Sequence, residues 1–322
     1  MSRTNNQIIV ATRGSRLALT QASIVAELIR AVHPDLHVEI KTIKTSGDRD
    51  HRPFAVIGGK GLFTAEIERA IVEGEADIAV HSAKDLTAEL APGCAIVCVP
   101  SRGPVHDVVV GGAGPTGEER LESLSRGATV GTSSMRRRSL LAEARPDLQV
   151  RDLRGNLDTR LRKVEGRELD AAILAAAGID RLLGEESHGA RLTPDWWVPA
   201  PGQGALAIEA LVERADIAEL LAPIEDPVAR FELTAERAFA RRLEGGCSVP
   251  LGCLARVSDQ RLIVSGFLGS PWGSGNLRDR ASGPVGEAAQ LGEELADAIL
   301  AAGGDEILAD VKESDPPQPV EP

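Results

Sequence analysis

Positive charge is concentrated in one stretch of an otherwise acidic chain. Arg136, Arg137 and Arg138 follow the turn Gly131-Thr132-Ser133-Ser134. Arg151, Arg154, Arg160, Arg162 and Lys163 come soon after, with Arg181 further on. Arginine presents a planar fork of donors that matches carboxylates and phosphates. Glycine and hydroxyl residues ahead of Arg136 would bare backbone N–H groups at a helix start, where anions bind. Thr12, Arg13, Gly14 and Ser15 repeat the device near the N-terminus. Together they point to a ligand with several negative groups held between two lobes. The alternative is a solvated helix face paired with surface glutamates.

A second group is His81-Ser82-Ala83-Lys84-Asp85, directly after the strand-like DIAV. Ligands of open α/β sheets collect at strand ends of this kind. Asp85 there could protonate a leaving amine or stabilise a developing cation, or it could simply cap a helix. A third is Cys247 in LEGGCSVPLG, where paired glycines and a proline make a turn able to present a thiol. A free cysteine can equally be a buried apolar residue. Gly58-Gly59-Lys60-Gly61 lacks the spacing of a nucleotide loop and reads, with Asp48 to Phe54, as a mobile flap carrying Lys60. No metal site is expected. Cys94 and Cys98 are separated by three residues, Cys247 and Cys253 by five, and no histidine cluster accompanies them. Cys94, Cys98 and Cys253 read as core residues.

The elements that must position these groups alternate in α/β fashion. Strands are expected at Ile8–Ala11, Val38–Ile43 and Asp77–Val80, with helices at Leu17–Val32 and Leu62–Val72 and a loop over Thr45–Gly61. The pattern returns with strands at Ala128–Gly131, Leu148–Asp152 and Asp170–Leu174 and helices at Met135–Ala144 and Asn156–Val164. Two similar α/β lobes around a cleft follow from this outline. PAPGQG, Pro199 to Gly204, reads as a hinge, and Ala205–Glu209 as a strand returning to the first lobe. A helix at Pro227–Leu243, strands at Leu251–Val257 and Leu262–Phe267, and a helix at Pro284–Ala302 make a third, α+β unit. The proline-rich tail from Lys312 reads as disordered.

Composition narrows the function classes. With 36 Lys and Arg against 48 Asp and Glu the net charge is −12, unlike a general nucleic-acid binder. Aromatic residues make up 2% and there is no tyrosine, so aromatic stacking platforms are not expected. Four cysteines are too few for a disulfide scaffold and suit a reducing cytoplasm. Neither a secretory signal nor a membrane-length apolar run is visible.

Taken together, ATRGSRLALTQ, KTSGD, GGKGLFTAEIE, DIAVHSAKDL, GTSSMRRR, LRGNLDTRL, ILAAAGIDRL, PGQGALAIE and LEGGCSVPLG resemble the porphobilinogen deaminase (hydroxymethylbilane synthase) family from about Ile8 to Ala309. The resemblance implies an α/β fold of three domains: two lobes like those of periplasmic binding proteins plus a smaller α+β C-terminal domain. It places domain 1 at 1–101 with 202–221, domain 2 at 102–201, domain 3 at 222–311, and a tail at 312–322. It implies a transferase that joins four porphobilinogen molecules head to tail into linear hydroxymethylbilane, releasing four ammonia and using water at the end.

A dipyrromethane cofactor, tied by a thioether to Cys247, is implied as primer. Asp85 matches the family's catalytic aspartate and Lys60 a lysine on its flap, with Arg13 also placed in the chemistry. By the same resemblance the cofactor meets Ser82, Lys84, Thr132, Ser134, Arg136, Arg137 and Arg160. The substrate's acetate and propionate groups meet Arg13, Ser15, Arg154, Arg160 and Arg181. A cytoplasmic monomer that passes its product to uroporphyrinogen-III synthase is expected, without nucleic-acid or membrane partners. Thr87 stands where the family often has proline, and Arg138 is expected to face elsewhere. Trp196 and Trp197 are assigned to packing near the hinge. The rival reading is a two-lobed binding protein for a small polycarboxylate, which leaves Cys247 and the third unit unexplained.

Overall fold

The computed structural model describes residues 6–49, 64–184, 188–244, 249–270 and 275–313. Three sheets organise them. The first contains β1 (Gln7–Arg13), β2 (His37–Ile43), β3 (Ile78–Ser82), β4 (Cys94–Cys98) and β10 (Leu206–Leu211), in the order β2-β1-β3-β10-β4. The second contains β5 (Asp107–Gly111), β6 (Thr129–Gly131), β7 (Gln149–Arg151), β8 (Ala171–Ala175) and β9 (Ala190–Arg191), in the order β7-β6-β8-β5-β9.

The two orders express one plan. In each sheet three parallel strands are followed by a fourth that runs antiparallel: β10 beside β3, and β5 beside β8. Each antiparallel strand begins just after the chain has crossed between lobes. The outline similarity of the two halves in sequence is therefore a similarity of topology.

Helices cover the sheets. On α1 (Arg16–Val32), Gln21, Ala22, Val25, Ala26 and Ile29 form one buried stripe at helical spacing. Its first turn is capped by the Ser15 hydroxyl, which accepts from the Ala18 N–H at 3.2 Å. After a helical turn at Ser46–Arg49 come α2 (Ala65–Val72), α3 (Gly117–Ser123), α4 (Met135–Ala144), α5 (Leu157–Glu165), α6 (Ala176–Leu183) and α7 (Ala215–Leu221). Because aromatic residues are scarce, the first lobe's main core is almost wholly aliphatic, with Ile8, Val10, Val25, Ile29, Ile78 and Ile208 buried. No helix among the described residues is long and apolar enough to cross a membrane.

The third sheet is the antiparallel meander β11 (Leu251–Ser258), β12 (Arg261–Leu268) and β13 (Leu277–Pro284). Its first turn has Asp259 and Gln260 both at positive φ, 49° and 62°, the backbone that a two-residue hairpin requires. Helices α8 (Pro227–Arg242) and α9 (Ala288–Ile299) pack on it and on each other. Their approach is close at Gly292, where an added Cβ would lie 2.2 Å from the Ala235 carbonyl oxygen. Gly292→Ala is therefore expected to cost about 1–3 kcal/mol by forcing the helices apart, read as a lower denaturation midpoint.

The structure departs from the sequence reading in several elements. Strands β4, β5 and β13 and helices α3, α6 and α7 were not anticipated. The expected helix at 284–302 starts later, at Ala288 after a 3-10 turn at Val285–Glu287, because Pro284 closes β13; just beyond it the chain kinks at Gly303, where φ is 105°, and continues as α10 (Asp305–Glu313). That last helix takes in Lys312 and Glu313, which the sequence reading assigns to the tail. Cys98 and Cys253 are buried as expected, whereas Cys94 is only half-buried at the start of β4.

Candidate functional site

The parallel strands of both sheets carry the sequence-predicted residues at or just beyond their C-terminal ends. In the first sheet, β1 ends on Arg13, and β3 ends on Ser82 and runs into the short 3-10 turn Ala83–Asp85. In the second, β6 leads to Thr132 and Ser134, β7 to Arg154 and Arg160, and β8 to Arg181. Such ends form the ligand crevice of open α/β sheets.

The centre of the second lobe's group is an aspartate that sequence reasoning missed. Asp107, the first residue of β5, has 1% of its surface exposed. Its carboxylate accepts from Arg136 Nη2 at 2.8 Å, Arg137 Nη2 at 2.7 Å, Arg137 Nε at 3.1 Å, Trp197 Nε1 at 2.8 Å and Gln203 Nε2 at 2.9 Å. Burial alone would raise this carboxyl, but Arg136 and Arg137 hold it far below the usual carboxylate range. The remaining donors of the two arginines go partly to the backbone, Arg136 Nη1 to Val198 O at 2.8 Å and Arg137 Nη1 to Ile173 O at 2.9 Å. Arg136 Nε is buried without a hydrogen-bond partner.

The first lobe faces this group with Lys84 and Asp85. Lys84 Nζ donates to Gln203 Oε1 at 3.3 Å. Burial brings its ammonium down to about 8; Asp85 and Asp107 favour the charged form, while Arg137 and Arg136 oppose it. Asp85 is exposed, within electrostatic range of both Lys84 and Arg160. Arg160 donates to Gly155 O at 2.9 Å, and its guanidinium is pushed down by burial and by Arg137. Among the described residues no carboxylate forms an ion pair with it.

The other predicted residues divide into two sets. Ser134 caps α4 through the Arg137 N–H, and buried Thr132 accepts from the Ser134 N–H at 3.2 Å. Ser15 is likewise a helix cap, and Ser82 is paired with Gln21 at 2.8 Å. These hydroxyls are therefore already used locally. Arg181 donates to Gly204 O at 2.6 Å, which places it against the hinge. Arg13 and Arg154 are half-buried at the strand ends. Lys60 and Cys247 lie outside the described residues. Arg138 pairs with Asp152 at 2.6 Å on a more exposed side of α4. Trp197 packs as expected but also holds Asp107.

The cluster suits a polycarboxylate. Lys84, Arg136, Arg137 and Arg160 are four cations against two carboxylates, Asp85 and Asp107. That leaves a surplus of two positive charges and one buried donor, Arg136 Nε, without an acceptor. A dipyrromethane, whose ring substituents are acids, matches this donor set in charge and hydrogen-bonding sense.

The third unit is tied to the hinge by a buried ion pair. Arg102, on the outgoing crossing segment, donates to Glu236 of α8 through Nη1 and Nη2, both at 2.9 Å, and to Glu232 at 3.0 Å. Glu236 also accepts from Gly202 N at 2.6 Å and Ala255 N at 2.8 Å. One carboxylate thus joins both crossing segments to β11. Burial would lower the Arg102 guanidinium, but Glu236 and Glu232 hold it above its ordinary value.

Comparison with known proteins gives concordant matches. The family model described as "Porphobilinogen deaminase, dipyromethane cofactor binding domain" matches residues 8–219, and "Porphobilinogen deaminase, C-terminal domain" matches residues 230–301. A porphobilinogen deaminase of Roseiflexus castenholzii is 45% identical over 305 residues, covering 94% of this chain and 99% of the relative. One of Syntrophus aciditrophicus is 43% identical over 308 residues, covering 95% of this chain and 99% of the relative. Among solved structures, the periplasmic aliphatic sulphonate binding protein SsuA from Escherichia coli is 15% identical, with a TM-score of 0.39, covering 74% of this chain and 70% of that chain.

Proposed function

The chain belongs to the porphobilinogen deaminase family, and from that premise we propose that it is a hydroxymethylbilane synthase of tetrapyrrole biosynthesis. It joins four porphobilinogen molecules head to tail, releasing four ammonia, and frees the linear tetrapyrrole with water. The observation that carries this reading is the surplus of positive charge where the two lobes' strand ends meet, with the Asp85 carboxylate beside it. A substrate bearing an acetate and a propionate on every ring needs such a surplus, and a reaction that develops a cation needs a carboxylate beside it.

The roles follow from the chemistry of each side chain. Cys247 carries the dipyrromethane cofactor through a thioether. When bound, that cofactor supplies a free pyrrole α-carbon as nucleophile. Arg136, Arg137, Arg160 and Lys84 bind its carboxylates, with Ser82, Thr132 and Ser134 lining the same strand ends. Arg13, Ser15, Arg154, Arg160 and Arg181 take the substrate's acids. Asp85 accepts pyrrole N–H bonds and stabilises the charge that grows on the substrate as its aminomethyl C–N bond breaks. Lys60 and Arg13 assist from the flap and from the end of β1. Holding the reacting carbons in contact supplies much of the remaining acceleration.

The same reading divides the chain into 1–101 with 202–221, 102–201 and 222–311, which the three separate sheets support. It makes the protein a cytoplasmic monomer whose product passes to uroporphyrinogen-III synthase.

Intact mass tests the proposal. The purified protein is expected to exceed its chain mass by two linked pyrrole units, and Cys247→Ala is expected to lack that excess. Added porphobilinogen should then give a ladder of one to four further units. A wild-type chain that stays at its bare mass after incubation with porphobilinogen would instead be a polycarboxylate-binding protein.

A further inference from the structure

Gln203 lies in the return segment between the lobes and has 1% of its surface exposed. Its carboxamide is bonded at both ends. Oε1 accepts from Lys84 Nζ at 3.3 Å, while Nε2 donates to Asp107 Oδ1 at 2.9 Å and to the Val105 carbonyl at 2.8 Å. The amide has one workable orientation, because reversing it would aim its NH2 at an ammonium and its oxygen at a carboxylate.

The backbone at Gln203 is equally constrained. Gly202 and Gly204 stand at φ of 73° and 87°. A Cβ on Gly202 would lie 3.0 Å from Lys84 N, and one on Gly204 2.4 Å from Gly103 O. The return segment is thus pressed onto the turn that carries Lys84 and Asp85 on one side and onto the outgoing segment on the other. The Gln203 carbonyl accepts from Arg102 Nε at 3.1 Å, which connects this point to the third unit.

We infer that Gln203 is a positioning residue for Lys84, holding its ammonium against the Asp107–Arg136–Arg137 cluster of the other lobe. The inference deepens the deaminase reading, on which the meaning of Lys84 rests. The charged groups that face Lys84 are Asp85 from its own turn, Arg136 and Arg137 from α4, and Asp107 from β5. Two of the four repel an ammonium. A neutral acceptor that cannot rotate away keeps Lys84 charged in that company. Losing it favours the neutral amine.

The test is the pH dependence of Lys84 labelling by an amine-reactive reagent, read on the Lys84 peptide by mass spectrometry. It is run on the full-length wild type, Gln203→Leu and Gln203→Met, each confirmed folded by circular dichroism. Half-labelling is expected near pH 8 for the wild type, in line with burial bringing the ammonium down to about 8. It should fall by about one unit in both Gln203→Leu and Gln203→Met. The alkaline limb of kcat/KM for porphobilinogen should move down with it. A structural role alone lowers the amplitude of that profile and leaves the labelling pH in place. If half-labelling in both variants coincides with the wild type, Gln203 does not position Lys84 and the inference is wrong. Labelling needs no substrate, so shifted labelling in a protein that never turns over porphobilinogen would overturn the deaminase reading alone.

Discussion

Asp85→Asn is expected to lower the turnover of porphobilinogen by about 10²–10³-fold with little change in KM, measured on protein whose intact mass shows the cofactor bound. The substitution preserves size and removes one negative charge. The binding cations Lys84, Arg136, Arg137 and Arg160 stay in place, so affinity for carboxylates persists. What disappears is the carboxylate beside the carbon that turns cationic, and with it about 2.7–4 kcal/mol of stabilisation present only in the transition state. Asp85→Glu returns the charge on a longer arm and is expected to recover part of the loss. A raised KM with kcat unchanged for Asp85→Asn would mean that Asp85 serves in binding and not in the bond-breaking step.

Glu236→Ala is expected to be the most destabilising single change at the hinge, at about 3–5 kcal/mol. Glu236 has no exposed surface and receives both ends of the Arg102 fork together with the Gly202 and Ala255 N–H groups. Alanine strands all of these donors in a dry region. Glu232 retains its contact with Arg102 at 3.0 Å and moderates the loss. Denaturation followed by two probes suits a protein with several sheets, whose unfolding need not be a single step. Replacing Arg102 and Glu236 together by methionine should restore part of the midpoint, because the buried guanidinium is then no longer short of a partner, while Glu232 loses its cation and the Gly202 and Ala255 N–H groups stay unpaired.

Much of the lobe architecture was legible in the sequence. The apolar stripe of α1, the alternation in β2 and the capped starts of α4 and α5 come through because each satisfies a local rule of periodicity or capping. Strand β5 did not, since DVVVG is a short apolar run without a period of its own. Strand β13, LRDRASGP, is mostly exposed at a sheet edge and lacks the alternation of a half-buried strand.

The site was legible in its residue types and less so in its connections. Arg136 and Arg137 read as partners for a ligand, and nothing local discloses that Asp107, some thirty positions earlier, already binds both. A buried counter-ion looks like any surface aspartate until the fold closes around it. Gln203 sat inside PGQG, which was read as a hinge; the flanking glycines signalled unusual backbone but not the side chain between them. Lys60 and Cys247, the flap lysine and the expected anchor, lie outside the described residues, and the case for them rests on family membership.

Strand β10 completes the first sheet by sitting between β3 and β4, yet it is made only after the whole second lobe. During synthesis at about 5–20 residues per second, the roughly 110 residues between β4 and β10 take on the order of 5–20 s to leave the ribosome. For that interval β3 keeps one edge of unpaired N–H and C=O groups, and β4 has no neighbour to bind. An open strand edge is a template for pairing with other chains. The inserted lobe can close around its own core in the meantime, so the nascent chain carries a finished second half before its first half is sealed. Its most vulnerable interval therefore falls in the middle of translation, when holdase chaperones that cover bare strand edges would have most to protect.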